Sequence, residues 1–291
     1  MPDQNKAGPA MTFLIILTAL VLAFVIAPLV VVVVVSFGVS QMMEFPPRAF
    51  SLVWYERYFT SADWLNATRV SVEVGLGTAL LATLLGTAVA LAFRPRFAGS
   101  RLVHGVMIAP MVVPSIVIAI AAYFFFVPLT KMGLPLLGSR LGLILAHTVL
   151  AIPFVFVTVL ASVQGLDPML EKAAASCGAH PLQAFRRVTL PVIMPGVVSG
   201  AIFAFVASFD EVVIALFLSG ARVRTLPIKM WEGVRFEIDP TVPAVATLMM
   251  VLSLAVMAVS QLLRRRARTF TASPSQAAGH GTAAPNVAMT R

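Results

Sequence analysis

The segment LDPMLEKAAASCGAHPLQAFRRVTLP, residues 166–191, decides how the rest of the chain is read. It folds on paper into two short helices at a corner. Asp167 is placed to cap a helix that starts at Pro168, where a missing N–H is harmless, and Gly178 falls where a left-handed turn would close that helix. His180-Pro181 opens a second helix, which Pro191 limits. Leu170, Ala173, Ala174 and Cys177 recur at i, i+3, i+4 and i+7, a narrow stripe of small apolar groups along one face of the first helix. Small side chains permit close approach. Physics alone leaves two readings open: a corner lying on a membrane surface, or one received by another protein.

Long apolar runs flank this corner on both sides. Segments at about 141–165 and 192–219 adjoin it, and others lie at about 11–36, 70–93, 102–128 and 242–263. Each is long enough to cross the roughly 30 Å hydrocarbon layer as a helix. With 59% hydrophobic and 11% charged residues among 291, a soluble fold is excluded. An outer-membrane barrel is excluded too, since its strands would alternate apolar and polar over about 10 residues. The expected fold class is an all-α integral membrane protein with six transmembrane helices. The first run, Met11–Ser36, exceeds the roughly 7–15-residue core of a cleavable signal peptide and reads as a retained anchor.

An even number of spans places both termini on one side. Arg94, Arg96 and Arg101, with Arg264, Arg265, Arg266 and Arg268, crowd the helix ends on that side, the side of residues 166–191. Twelve of the 21 lysines and arginines fall there, so the N- and C-termini are expected to be cytoplasmic. The domain plan is a short tail over 1–10, a transmembrane domain over 11–268, and a disordered tail over 269–291, where Ala, Ser, Gly and Thr offer little to bury. On the other side, Trp54, Tyr55, Tyr58 and Trp64 within residues 37–69 read as an interfacial aromatic belt, and the mixed charge of residues 220–241 reads as a structured, solvent-touching loop.

Catalytic and metal chemistry finds no support. The single Cys177 and four scattered histidines show no metal-ligand spacing, and no phosphate loop, dinucleotide fingerprint or nucleophile elbow occurs. No metal and no cofactor are expected, no catalytic residue is assigned, and any ATP used in transport is hydrolysed by another subunit. The net charge of +9 sits at helix ends and in one tail, a topology signal and no footprint for nucleic acid.

The corner resembles the EAA loop of the permease subunits of binding-protein-dependent ABC importers. That pattern is Glu-Ala-Ala, three residues, Gly, nine residues, a branched aliphatic, any residue, Leu-Pro. Ala173 and Ala174 stand at the alanines, Gly178 at the glycine, and Val188, Leu190 and Pro191 at the end. Lys172 occupies the glutamate position, with Glu171 one residue earlier, which puts any carried-over salt bridge to the ATPase in doubt. The resemblance covers about residues 65–265 and implies the type I ABC importer permease fold in an inner membrane. It also implies the partners: a second homologous permease, an ATPase dimer whose groove receives the loop, a periplasmic solute-binding protein and membrane lipid.

A second stretch, SFDEVVIALFLSG at 208–220 followed by TLPIKMWEGVRFEIDPTV at 225–242, resembles the spermidine/putrescine permease branch. Acidic pairs inside spans are costly, so Asp210 and Glu211 are expected to face a water-filled path for small organic cations. Phe205 and Phe209 would add aromatic faces for an ammonium group. The alternative is that the acids pair with Arg222, Arg224 or Lys229, or cap a helix break. Glu73 and His147 are weaker candidates for the path and read better as structural. A rival function is an ion- or proton-coupled secondary carrier using Asp210 and Glu211, against which the EAA-like loop argues. An intramembrane enzyme lacks its nucleophile and base.

Overall fold

A computed structural model describes residues 9–94 and 98–271. The expected tail over 1–10 and the disordered tail over 269–291 lie almost wholly outside the described residues. The described chain is helical throughout: α1 (Pro9–Ser36), α2 (Val53–Thr60), α3 (Ala62–Ala92), α4 (Ser100–Val112), α5 (Ser115–Lys131), α6 (Arg140–Gln164), α7 (Pro168–Ser176), α8 (Pro181–Ala184), α9 (Leu190–Phe209), α10 (Val213–Leu218), α11 (Leu226–Glu232) and α12 (Thr241–Thr271). Wide π turns join α8 to α9 over Phe185–Thr189 and follow α11 over Gly233–Glu237.

Among the described residues five helical stretches are long and apolar enough to cross a membrane, and α4 with α5 forms a sixth only as a pair bent by 104°. The sequence reading had that span continuous over 102–128. Pro114 has no N–H to give the helix and holds Val113 extended (φ −72°, ψ 129°), so the ladder stops there. The fifth expected span, 192–219, is also interrupted, with α9 ending at Phe209 and α10 starting at Val213. Pro191, expected to limit the second corner helix, does not. Through the π turn, Leu190 N–H reaches the Phe185 carbonyl, and the widened turn carries the helix from Pro181 to Phe209 without a stop.

The second span is longer than read. At 31 residues α3 measures about 46 Å, about three turns more than a roughly 30 Å layer needs, the surplus being available at its first turns after α2. Trp64, Ala67 and Val70 on those turns are buried, and Trp64 and Ala67 pack in one cluster with Tyr58, Leu226, Val242 and Val245. The aromatics expected as an interfacial belt are instead largely internal. Trp54 donates from Nε1 to the Gly38 carbonyl at 2.7 Å, and the Tyr55 hydroxyl meets Ser36 Oγ at 2.7 Å.

The packed centre is α3, α6 and α9. Lipid tails are as apolar as leucine, so close backbone approach and polar contacts must hold such a bundle. Ala82, Ala90, Ala151 and Ala204 are buried there around Val155, Phe156 and Ile193. A Cβ on Gly200 of α9 would lie 2.9 Å from Val155 Cα on α6, so only glycine permits this crossing. By contrast α1 exposes Phe13, Leu20 and Phe24 along its length.

Candidate functional site

The first helix of the corner at residues 166–191 is built as the sequence implied, and the second runs on past Pro191. Asp167 Oδ1 accepts from Met169 N–H at 2.9 Å, capping α7 ahead of Pro168. At the other end Gly178 takes φ +82°. Gly178 N–H reaches the Ala175 carbonyl at 2.9 Å and Ala179 N–H the Ala174 carbonyl at 3.0 Å, the paired bonds of a left-handed helix stop. α7 has no buried residue: Leu170 is 46% exposed, and Lys172, Ala173, Cys177 and Gly178 are exposed. Val188 and Leu190 are half-buried where the corner enters α9, and Pro191 is exposed.

Glu171 behaves differently from its neighbours. Arg94, just past the end of α3, donates from Nη1 to Glu171 Oε1 at 2.7 Å, and Thr189 Oγ1 donates to the same oxygen. The Thr189 hydroxyl first, and then Arg94, hold the Glu171 carboxyl below the usual carboxylate range. The pairing spans 77 residues and no sequence signal announces it.

The second candidate is the break between α9 and α10. The structure divides its four residues. Glu211 Oε1 accepts from Val213 N–H at 2.8 Å and Ile214 N–H at 3.0 Å, so it caps α10. Asp210 is exposed, and among the described residues no hydrogen bond or ion pair engages its carboxylate. Phe209 is 4% exposed and stacks on half-buried Phe205, ring centroids 5.5 Å apart. Phe205 in turn fills the space beside Gly75 of α3. The cations weighed as partners are engaged elsewhere: Arg224 pairs with Glu232 at 3.2 Å, and Lys229 stands over the Trp64 ring at 5.7 Å. Arg222 is exposed.

Glu73 takes Arg69 of its own helix at 2.8 Å and Arg140 of α6 at 3.1 Å, an ion-pair group at the end of the bundle away from the corner. His147 is fully buried in α6, with Nδ1 2.8 Å from Ser208 Oγ, and Ser208 Oγ lies 3.2 Å from Thr78 Oγ1. This polar thread ties α3, α6 and α9 two residues below Asp210. Of its members the sequence singles out His147 as structural; Thr78 and Ser208, isolated polar residues within apolar spans, carry the same signal. The spaced small residues Gly196 and Gly200 were another. Among the described residues no group of acids, histidines and cysteine is arranged to hold a metal.

Comparison with known proteins bears on most of the chain. A family model described as binding-protein-dependent transport system inner membrane component matches residues 82–269. The spermidine/putrescine transport system permease protein PotC of Haemophilus influenzae is 35% identical over 251 residues, 84% of this chain and 94% of that one. The putrescine transport system permease protein PotI of Escherichia coli is 33% identical over 239 residues, 81% of this chain and 85% of that one. The molybdenum transport system permease protein ModB of Mycobacterium bovis is 29% identical over 224 residues, 73% of this chain and 83% of that one. Among solved structures, a chain of a bacterial ABC transporter that imports alginate superposes with a TM-score of 0.67 at 14% identity, covering 90% of this chain and 99% of that one. That likeness gives the fold.

Proposed function

The chain belongs to the binding-protein-dependent transport system inner membrane components, and on that premise we propose that it forms half of the translocation path of a polyamine importer. It is an inner-membrane permease subunit of an ABC importer and no enzyme; in this family ATP hydrolysis belongs to a separate subunit. Permeases of the family work with a binding protein, a second permease and an ATPase. For this chain the set is a related permease, two ATPase copies of which one docks at α7, and a periplasmic protein delivering solute on the opposite face, with lipid around the exposed helices. Both termini lie in the cytoplasm on this reading, with the α7 corner.

The substrate class rests on one observation, the 35% identity to a spermidine/putrescine permease across 84% of the chain. Family membership alone does not fix it, since a molybdenum permease matches as well. An unpartnered carboxylate at Asp210 suits a cation and opposes an oxyanion. The corner and the break are joined mechanically: Pro181–Phe209 is a helical run of 29 residues, about 43 Å from the docking corner to the acidic break. A displacement imposed at α7 therefore reaches Asp210 through one stiff element.

The test is uptake by vesicles carrying the permease pair and ATPase, supplied with the cognate binding protein. Labelled spermidine or putrescine should accumulate with ATP. Accumulation of molybdate or an amino acid, with neither polyamine transported, would overturn the substrate class while leaving the permease role intact.

A further inference from the structure

The corner carries a charge arrangement that the family pattern does not describe. Lys172 stands where that pattern has glutamate, and its side chain is exposed. The carboxylate one residue earlier is turned inward. Successive residues on a helix diverge by about 100°, so positions 171 and 172 cannot face the same surface. Glu171 Oε1 joins Arg94 Nη1 at 2.7 Å and the hydroxyl of Thr189, which is fully buried. Arg94 terminates α3, its N–H bonded to the Leu91 carbonyl at 3.2 Å. Thr189 ends the π turn at the root of α9. One carboxylate oxygen thus ties an otherwise unburied helix to two of the three helices at the packed centre.

We propose that Glu171 is a positioning residue, a latch through which α7 moves α3 and α9 together, while Lys172 is left to meet the ATPase. This inference rests on the reading of α7 as the helix that docks there. Without the latch α7 is joined to the core through Gln164–Pro168 and through the left-handed turn at Gly178, a connection that lets α7 rotate before the spans follow. With it, closure of the ATPase is transmitted at two points. The same placement explains why the carboxylate stands at 171: one at 172 would point away from Arg94 and Thr189 and could not serve them.

The experiment uses the full complex in lipid, with its ATPase and binding protein, and reads solute transported per ATP hydrolysed alongside the amount of ATPase co-purifying. Glu171→Gln and Arg94→Gln should each lower the ratio about three- to tenfold with the ATPase still bound, and the double variant should be no worse than either single, as for two ends of one contact. Thr189→Val, which removes the second donor, should lower it as well and serves if a Glu171 variant assembles poorly. An unchanged ratio in Glu171→Gln and Arg94→Gln overturns the latch, and so does an additive double variant. Loss of ATPase from Glu171→Gln alone, with Arg94→Gln normal, also overturns it by assigning the carboxylate to the ATPase. Gly178→Val separates this from the underlying reading. If that variant keeps both ATPase and transport, the docking assignment itself fails. If it loses the ATPase while the Glu171 and Arg94 variants keep the ratio, only the latch fails.

Discussion

Replacing Glu211 by alanine separates the tasks of two neighbouring carboxylates. Glu211 Oε1 is the acceptor for Val213 N–H at 2.8 Å and Ile214 N–H at 3.0 Å, the first turn of α10. That helix has six residues, too few to persist without its cap. Ile214 is fully buried, so its amide has no water to turn to. Loss of a cap costs about 1 kcal/mol, and a buried donor left unsatisfied about 1–3 kcal/mol, so Glu211→Ala should destabilise by about 2–4 kcal/mol. The damage spreads, because Ile214, Ala215 and Leu218 pack with Val70, Phe126 and Leu143. Glutamine keeps an acceptor oxygen in place and forfeits only the charge-assisted share, about 1 kcal/mol. Asp210→Asn removes no bond seen in the structure and should shift stability by less than about 0.5 kcal/mol. Its effect belongs to transport: a unit charge at about 4 Å from an ammonium, at an effective dielectric near 20, is worth at most about 4 kcal/mol, much of it returned by water. Uptake should still fall at least about tenfold, the equivalent of 1.4 kcal/mol. Thermal melting of the complex in nanodiscs and labelled polyamine uptake, measured on the same preparations, decide the matter. A Glu211→Ala protein that melts with the native one refutes the capping role, and full uptake by Asp210→Asn refutes the path role.

Gly178→Val should insert normally yet lose about 1–2 kcal/mol of ATPase affinity, because φ +82° strains any side chain; Gly178→Ala should lose nearly as much, and co-purification titrations with equal native-like affinity for both would contradict this. Gly200→Leu should cut the yield of folded protein, since its Cβ would meet Val155 Cα at 2.9 Å and overpacking costs about 1–3 kcal/mol or more; native thermal stability would show that α6 and α9 separate easily. A cytoplasm-dependent reporter fused after Arg94 should be active and one fused at Gly133 inactive, with activity at Gly133 overturning the assigned orientation.

What could be read from the chain divides by the range of the physics. The cap at Asp167, the left-handed stop at Gly178 and the apolar runs are local and were legible, because each depends on a few consecutive residues. The EAA-like spacing, confined to residues 171–191, resembles the family pattern without reference to any tertiary contact. The Arg94–Glu171 tie and the burial of Trp64 depend on which helices become neighbours, and no window of sequence contains both partners. At the acidic break the residues were found and their tasks were not. Hydropathy marks Asp210 and Glu211 equally, whereas a shift of one position along the chain decides that one carboxylate folds back onto α10 and the other stays free.

The prolines show why interruptions in apolar spans resist sequence reading. An internal proline removes one ladder bond and crowds the carbonyl four residues earlier, at about 3 kcal/mol, wherever it falls. Pro153 is buried in α6, which lies between α3 and α9 and stays helical through Gln164; contacts on both sides offset the defect. Pro191 sits at the head of α9, where the π turn over Phe185–Thr189 widens the preceding loop of chain and absorbs the ring. Pro114 has neither support. It is exposed, beside Val112 at 79% and Val113 at 37% exposure, and the chain bends there by 104°, whereas the equally exposed Pro28 leaves α1 unbroken. The same residue type thus continues, adapts or breaks a helix, and exposure alone does not decide which. If packing beside Pro114 sets this bend, the angle between α4 and α5 should differ between the free subunit and the assembled pair, and an equal angle in the two would assign the bend to Pro114 and Val113 alone.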